Sequence, residues 1–427
     1  MLDINLIREN PELVKQGAAA KGIDIDIDKL LQADGRRRAF IAEVEKARNF
    51  VNEKSKTISQ AFKDGLSSDE IERLKESVRV QKESLRVHEN AAAEAEGELD
   101  AILKEIPNLP LSDVRVGKND SENRVARTVG EPTRFDFEPK DYMALGESLD
   151  IIDTERAAKV SGARFGYLKG DGALLEFALV QYVLQYLVGK GFRPVVPPVM
   201  IKPEVMEKMG YADRHGDEIY RIDRDQDPLM LVGTSEQSIG PLHMDETLDV
   251  EKPVRYVAFS TCFRREAGSY GKDTKGILRV HQFDKLEMFS FTKPAESQGE
   301  HAFLLQCEEE LLQGLGLPYH VLDICSGDLG TPAAKKWDLE TWIPSQQTYR
   351  ETHSTSNCTD FQARRLNIGW KNPETQKREF VHTLNGTAFA IGRIIIAILE
   401  NGQEADGRVR VPEVLRPWMG GRSHISR

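Results

Sequence analysis

Cysteine is scarce. Four stand in 427 residues, and no two of them form a CxxC pair. Cys262, Cys307, Cys325 and Cys358 are too far apart in sequence to suggest a disulfide framework or a Cys-rich zinc site. A reducing, cytoplasmic setting is the expectation. Long apolar runs are also missing: no stretch of about 18 apolar residues occurs, so no membrane span is expected. The opening MLDINLIRENPE is charged at once and has no apolar signal region. Neither GxGxxG nor GxxxxGKS/T is present, which removes two common phosphate loops. Lys and Arg number 58 against 69 Asp and Glu, a net charge of −11. Taken whole, that argues mildly against a nucleic-acid partner, but a local basic face can hide within it.

Proline is absent from residues 28–106, where charge density is high. From Ile71 the apolar positions step by three and four: Ile71, Leu74, Val78, Gln81, Leu85, His88, Ala92, Ala95, Leu99, Ile102, Ile106. That is the seam of a two-helix coiled coil. A weaker seam precedes it at Leu30, Ile41, Val44, Val51, Ile58 and Phe62, with Asp64-Gly65 between the two and Ser67 or Ser68 placed to cap the second helix. The spacing predicts a long antiparallel helical hairpin over about 28–106, each helix about 50 Å long at ~1.5 Å per residue. Its halves differ in charge. Residues 28–63 carry nine Lys/Arg and five acids; residues 69–106 carry six and eleven. One reading is a solvated face of paired charges. The other is an arm for a nucleic-acid backbone.

Pro107 and Pro110 end the second helix. Residues 107–160 read as a connector with strands and a short helix. Beyond it, helices are expected over about 173–188, 294–314 and 390–399. Strands are expected at FRPVVPPVM from Phe192 and over 254–291, 318–326 and 346–391. Strands meet hairpin loops rather than crossover helices, so the second domain reads as an antiparallel sheet flanked by helices, in an α+β chain. The expected division is 1–110 and 111–427.

FRREAGSYGKDTKGILRVHQF, residues 263–283, places many charges on a stretch that otherwise reads as core. Its loop carries Gly268, Gly271 and Gly276. By strand parity Leu278, Val280, Leu286 and Met288 share one face, and Arg279, His281, Phe283, Lys285 and Glu287 the other. Arg264 and Glu266 share a face on the incoming strand. Desolvated charges are costly unless paired or bound. Either the face is exposed and laced with ion pairs, or it meets a ligand with phosphate, a flat ring and an amine.

These residues resemble motif 2 of the class II aminoacyl-tRNA synthetases, and the chain is similar to the bacterial-type seryl branch of that family over nearly its whole length. LNGTAFAIGRIIIAILEN (384–401) resembles motif 3. GFRPVVPPVM resembles motif 1, the dimer-forming segment, with Pro198 as its proline. LVGTSEQSI resembles the seryl TxE loop, and YRETHSTSNCTDFQARR and DGRVRVPEVLRPWMGG resemble further family blocks.

The resemblance implies ATP-dependent activation of L-serine and transfer to tRNA(Ser), and to tRNA(Sec) where it exists. Arg264, Arg393 and Glu351 would carry catalysis. Arg264, Arg265, Glu266, Arg279, Val280, Phe283, Glu351, Thr352, His353, Ser354 and Arg393 would surround ATP. Glu351 and Ser354 would hold Mg²⁺. Thr234, Ser235, Glu236, Arg264, Glu287, Thr383, Asn385 and Thr387 would form the serine pocket, with no zinc set of the archaeal variant. The arm, through Arg36, Arg37 and Arg38, would reach the tRNA, and the chain would be a homodimer without a membrane. A pocket built for a hydroxyl would reject alanine by about 10⁴-fold or more. A rival reading is a synthetase-like ligase that loads an amino acid onto a carrier protein, a class that lacks the helical arm.

Overall fold

The computed structural model describes residues 1–64, 67–211, 216–222, 227–267 and 275–427. Gly65 of the expected arm turn, the Phe62 side chain, and Gly268, Ser269, Tyr270 and Gly271 of the motif 2 loop lie outside them. The described chain forms two compact units. One is Leu2–Ala19 with Ile23–Pro107; the other is Met1, Ala20–Gly22 and Asn108–Arg427.

In the first unit, helices α1 (Ile27–Asp64) and α2 (Ser68–Glu105) pair along their length. Every residue of the second seam, from Ile71 to Ile106, is buried or half-buried. Ser67 caps α2 with a reciprocal capping box, its side chain accepting from the Glu70 N–H while Glu70 accepts from the Ser67 N–H. The weaker seam of α1 hides one acid. Asp34 is fully buried and takes a two-pronged bond from Arg8, Nε to Oδ2 and Nη2 to Oδ1, both 2.7 Å. Those hydrogen bonds hold the Asp34 carboxyl below its usual range.

The second unit is built on an eight-stranded sheet. In chain order the strands are β1 (Arg124–Val129), β2 (Arg193–Val195), β3 (Val254–Phe263), β4 (Gln282–Thr292), β5 (Tyr319–Asp323), β6 (Lys335–Ile343), β7 (Thr348–Asn357) and β8 (His382–Ala390). They lie in the order β1-β5-β6-β7-β8-β4-β3-β2, antiparallel throughout except for the β2–β3 edge pair. Helices α3 (Asp171–Gly189), α4 (Ser297–Leu315) and α5 (Ile391–Gly402) join Leu286, Met288, Leu339, Leu384 and Ala388 in one apolar cluster. Among the described residues α3 alone is long and apolar enough to cross a membrane. Its Leu175, Leu179, Val183 and Leu187 are fully buried in that cluster, which marks it as a core helix.

Four expectations need correction. FRPVVPPVM is not one strand: Pro197 and Pro198 separate β2 from a two-residue strand, Met200–Ile201, because proline cannot donate to a ladder. Strand β6 lies outside the segments read as strands, its KKWDLE start resembling a solvated stretch. Within 346–391, a helix, Phe361–Leu366, interrupts the strands. The strand after the motif 2 loop begins only at Gln282, so Ile277–Val280 is irregular and strand parity does not apply to it.

Candidate active site

Strands β4 and β8 show how one sheet face becomes polar. Glu287 faces Thr387, and Phe289 faces Asn385, directly across the ladder. The alternate residues Leu286, Met288, Leu384 and Ala388 pack into the core behind. Two register shifts adjust the pattern. Between β4 and β8, Leu286 pairs with Phe389 but Glu287 pairs with Thr387, so Ala388 is the extra residue. Between β6 and β7, Leu339 pairs with His353 and Glu340 with Glu351, which leaves Thr352 extra. The second bulge brings Glu351 and Ser354 to one face despite their odd spacing. Across from Glu351 lies Glu340 and across from Ser354 lies Asp338, with Lys336 opposite Ser356. Thr352 and His353 turn toward the core. The Thr352 hydroxyl meets that of Thr341 at 2.8 Å, and the His353 ring packs edge-on to Phe389. Burial pulls His353 down to about 3, which keeps it neutral.

The polar face forms two adjoining pockets that share Arg264, Lys285, Glu351 and Thr387. The first is also lined by Glu266, Arg279, Val280, Phe283, Thr352, His353 and Arg393. Arg264 lies 5.4 Å from the Phe283 ring centre, and its Nε donates to the Gly233 carbonyl at 3.1 Å. Arg279 pairs with Glu266 at 3.7 Å. Arg393, in the first turn of α5, donates to the Glu351 carbonyl at 2.7 Å and lies 3.4 Å from its carboxylate. The wall from Ile277 to Val280 is tied by the Tyr142 hydroxyl, which accepts from the Ile277 N–H at 3.1 Å. Gly276, at φ 82°, sits so close that a Cβ would overlap that hydroxyl.

Charges here settle one another. Burial pushes Asp338 up to about 6 and, with Glu351 and Asp338 beside it, Glu340 up to about 7. The crowded cleft works upward on Glu351, although half its side chain is exposed, but Arg393, Lys336, Arg264 and Arg279 outweigh that and hold Glu351 low. The ligand set that Glu351 and Ser354 offer is oxygen only, which suits a hard cation bound with phosphate.

The second pocket is lined by Thr234, Glu236, Glu287, Ser354, Asn385, Thr387 and residues 330–333. Glu236 is 4% exposed and accepts three hydrogen bonds: from Asn385 and Gln362 at 3.0 Å and from the Tyr211 hydroxyl at 2.8 Å. Burial, and then the Glu287 charge, raise its carboxyl to about 7. Glu287, equally hidden, pairs with Lys285 at 2.5 Å and accepts from Thr387 at 3.3 Å.

Three expected residues sit apart from both linings. Ser235 is fully buried, Thr383 donates to Gln362 at 2.8 Å, and Arg265 bonds through its backbone to Glu218. His281 also stands outside, its Nδ1 2.9 Å from the Arg264 carbonyl and its ring against Phe165 and Tyr220. On the arm, Arg36 pairs with Glu98, Arg37 with Glu96 and Arg38 with Asp34. Sequence reading assigned no site role to Lys285, Lys336, Asp338, Tyr211, Gln362 or residues 330–333. Only Lys285 carried a signal, its parity with Glu287.

Comparison with known proteins identifies the family. Residues 1–110 match the model of the seryl-tRNA synthetase N-terminal domain, and residues 220–402 that of the tRNA synthetase class II core domain (G, H, P, S and T). The chain is 48% identical over 424 residues to the serine–tRNA ligase of Nocardia farcinica, covering 98% of each. It is similar to the crystal structure of seryl-tRNA synthetase from Pyrococcus horikoshii complexed with ATP, with TM-score 0.90, 38% identity and coverage of 100% and 99%. The cytoplasmic serine–tRNA ligase of Naegleria fowleri in complex with AMP gives TM-score 0.87 and 33% identity, with coverage of 100% and 99%. The chain belongs to the seryl-tRNA synthetase family of class II aminoacyl-tRNA synthetases.

Proposed function

We propose that the chain is a serine–tRNA ligase whose two adjoining pockets take L-serine and ATP. The observation that carries this is the sharing of Arg264 and Glu351 by a buried, carboxylate-lined cup and a slot with an aromatic ring and two further arginines. Adenine lies between Phe283 and Arg393, with Glu266 accepting from its amino group. The serine ammonium meets Glu236 and Glu287, and the hydroxyl meets Asn385 and Thr387. Arg264 holds the serine carboxylate beside the α-phosphate.

The serine carboxylate attacks the α-phosphorus and pyrophosphate leaves. The nucleophile is already ionised, so the chain supplies position and positive charge rather than a base. Glu351 and Ser354 would hold Mg²⁺ brought with ATP, and the ion would neutralise phosphate charge. A ribose hydroxyl of the terminal tRNA adenosine then attacks the seryl carbonyl, AMP leaves, and the adenylate phosphate takes the proton.

The tRNA contacts the arm. Arg36 and Arg38 are more than half exposed, so exchanging their carboxylate partners for phosphate costs little. Among the described residues Lys54, Lys56, Lys82 and Arg86 form no ion pair and extend the basic surface. A second copy covers the exposed Leu174, Phe177 and Val188 of α3 and Val196 beyond β2, giving a homodimer.

Amino-acid-dependent ATP–pyrophosphate exchange tests the assignment: serine alone of the twenty should support it, and exchange with none contradicts it. Glu236 should appear in the pH profile. Below about pH 7 its protonated carboxyl cannot match an ammonium, so the KM for serine should rise about tenfold by pH 6. Glu236→Gln should raise KM and flatten that profile; an unchanged slope removes Glu236 from the pocket. Neutralising Arg36, Arg37 and Arg38 together should raise the KM for tRNA and leave exchange unchanged. The salt slope of tRNA binding should fall by roughly one for each phosphate no longer neutralised. Sedimentation should give twice the 48.1 kDa chain mass; a monomer of full activity contradicts the dimer.

A further inference from the structure

We propose that Lys21 and Asn108 are positioning residues for the amino-acid pocket: they grip the backbone of residues 330–333, one wall of that pocket, and hold it where serine needs it. The proposal rests on the serine-activating reading above.

Residues 330–333 belong to no helix or strand, yet all four line the pocket with Glu236, Glu287, Asn385 and Thr387. A loop wall lacks a ladder to fix it. Here each of its four successive carbonyls is held from outside. Lys21 Nζ donates to the Gly330 carbonyl at 3.0 Å, to Ala333 at 2.6 Å and to Thr331 at 3.4 Å. The Asn108 N–H donates to the Thr331 carbonyl at 2.9 Å, and its side-chain amide to that of Pro332 at 2.9 Å.

The residue types fit the task. Lys21 is 8% exposed, and a buried ammonium is tolerated only when its donors are satisfied. Three N–H groups meet three carbonyls, a match that methionine or alanine would leave wholly unmade. Asn108 is 3% exposed, and its amide also donates to the Cys358 carbonyl at 2.8 Å. Cys358 lines the same pocket, its Sγ 3.8 Å from the Asn385 amide. One amide therefore fastens two walls. Neither Lys21 nor Asn108 lines either pocket, so they act through the walls they hold: Lys21 through the loop, Asn108 through the loop and Cys358. Along the chain they stand at the crossings between the two compact units, one residue before Gly22 and directly after Pro107.

Serine meets this wall and ATP does not, because residues 330–333 are absent from the nucleotide pocket lining. The test is pyrophosphate exchange on the full-length enzyme with Lys21→Met, Lys21→Arg and Asn108→Ala. Lys21→Met and Asn108→Ala should each raise the KM for serine tenfold or more while the KM for ATP stays within about twofold, and Lys21→Arg should recover part of the loss. A folded Lys21→Met enzyme with an unchanged serine KM, or with both KM values raised equally, overturns the proposal. If neither variant folds, amide hydrogen exchange of the wild type decides: serine should slow exchange in residues 329–336, and no slowing refutes the wall. A wild type that activates serine while the variants match it sinks the grip alone. A wild type inert toward serine sinks the proposed function and the grip with it.

Discussion

A central sheet that is apolar behind and charged in front survives because its charges are matched two residues along the same strand or from helix α5. Glu287 pairs with Lys285, Asp338 with Lys336, and Glu351 with Arg393. The opposite face commits the same strands to burial through Leu286, Met288, Leu339 and Leu384. Strand alternation would then place every second residue in the cleft without exception. The two bulges supply the exceptions. One sets Thr352 and His353 inward together, which lets Glu351 and Ser354 face the same cleft. The other moves the register at Glu287 and Thr387, where the carboxylate meets the hydroxyl.

The cost of burial is distributed unevenly, and the unevenness suits the chemistry. Glu351 is surrounded by four cations, which hold its carboxyl low. Glu236 has only neutral donors around it, and burial with Glu287 nearby raises it to about 7. A carboxyl in that state is stabilised by an arriving ammonium more than one already paired would be. Its raised value also means that its contribution to folding is present at low pH and lost as pH rises through about 7. Under the proposed function, the amine of the amino acid would complete an ion pair with Glu236.

Much of this was legible in the sequence, for reasons that can be named. The α2 seam repeats over eleven positions from Ile71 to Ile106, and a helix–helix interface has no other way to be written. Phe283, Glu287, Asn385 and Thr387 follow from strand parity or motif position because each keeps its alternation along its own strand, and the bulge between Leu286 and Glu287 shifts only the pairing across strands. The β6 strand was not legible, since its outward residues are Lys336, Asp338 and Glu340, charged in the manner of a surface loop. Whether Arg36 and Arg37 were paired could not be read locally, because Glu98 and Glu96 become their neighbours only after folding, whereas Arg38 stands four residues from Asp34 on the same helix. Tyr211, Gln362, Lys21 and Asn108 act across 25 to 312 positions of chain, and no local pattern announces such contacts.

The most direct test of the two-pocket reading is a crystal structure with a non-hydrolysable seryl-adenylate analogue. One ligand should span both pockets, its ring between Phe283 and Arg393, its phosphate mimic at Arg264 and its ammonium within hydrogen-bond reach of Glu236 and Glu287. An analogue bound with its amine away from both carboxylates, or seated outside the two pockets, would contradict that reading.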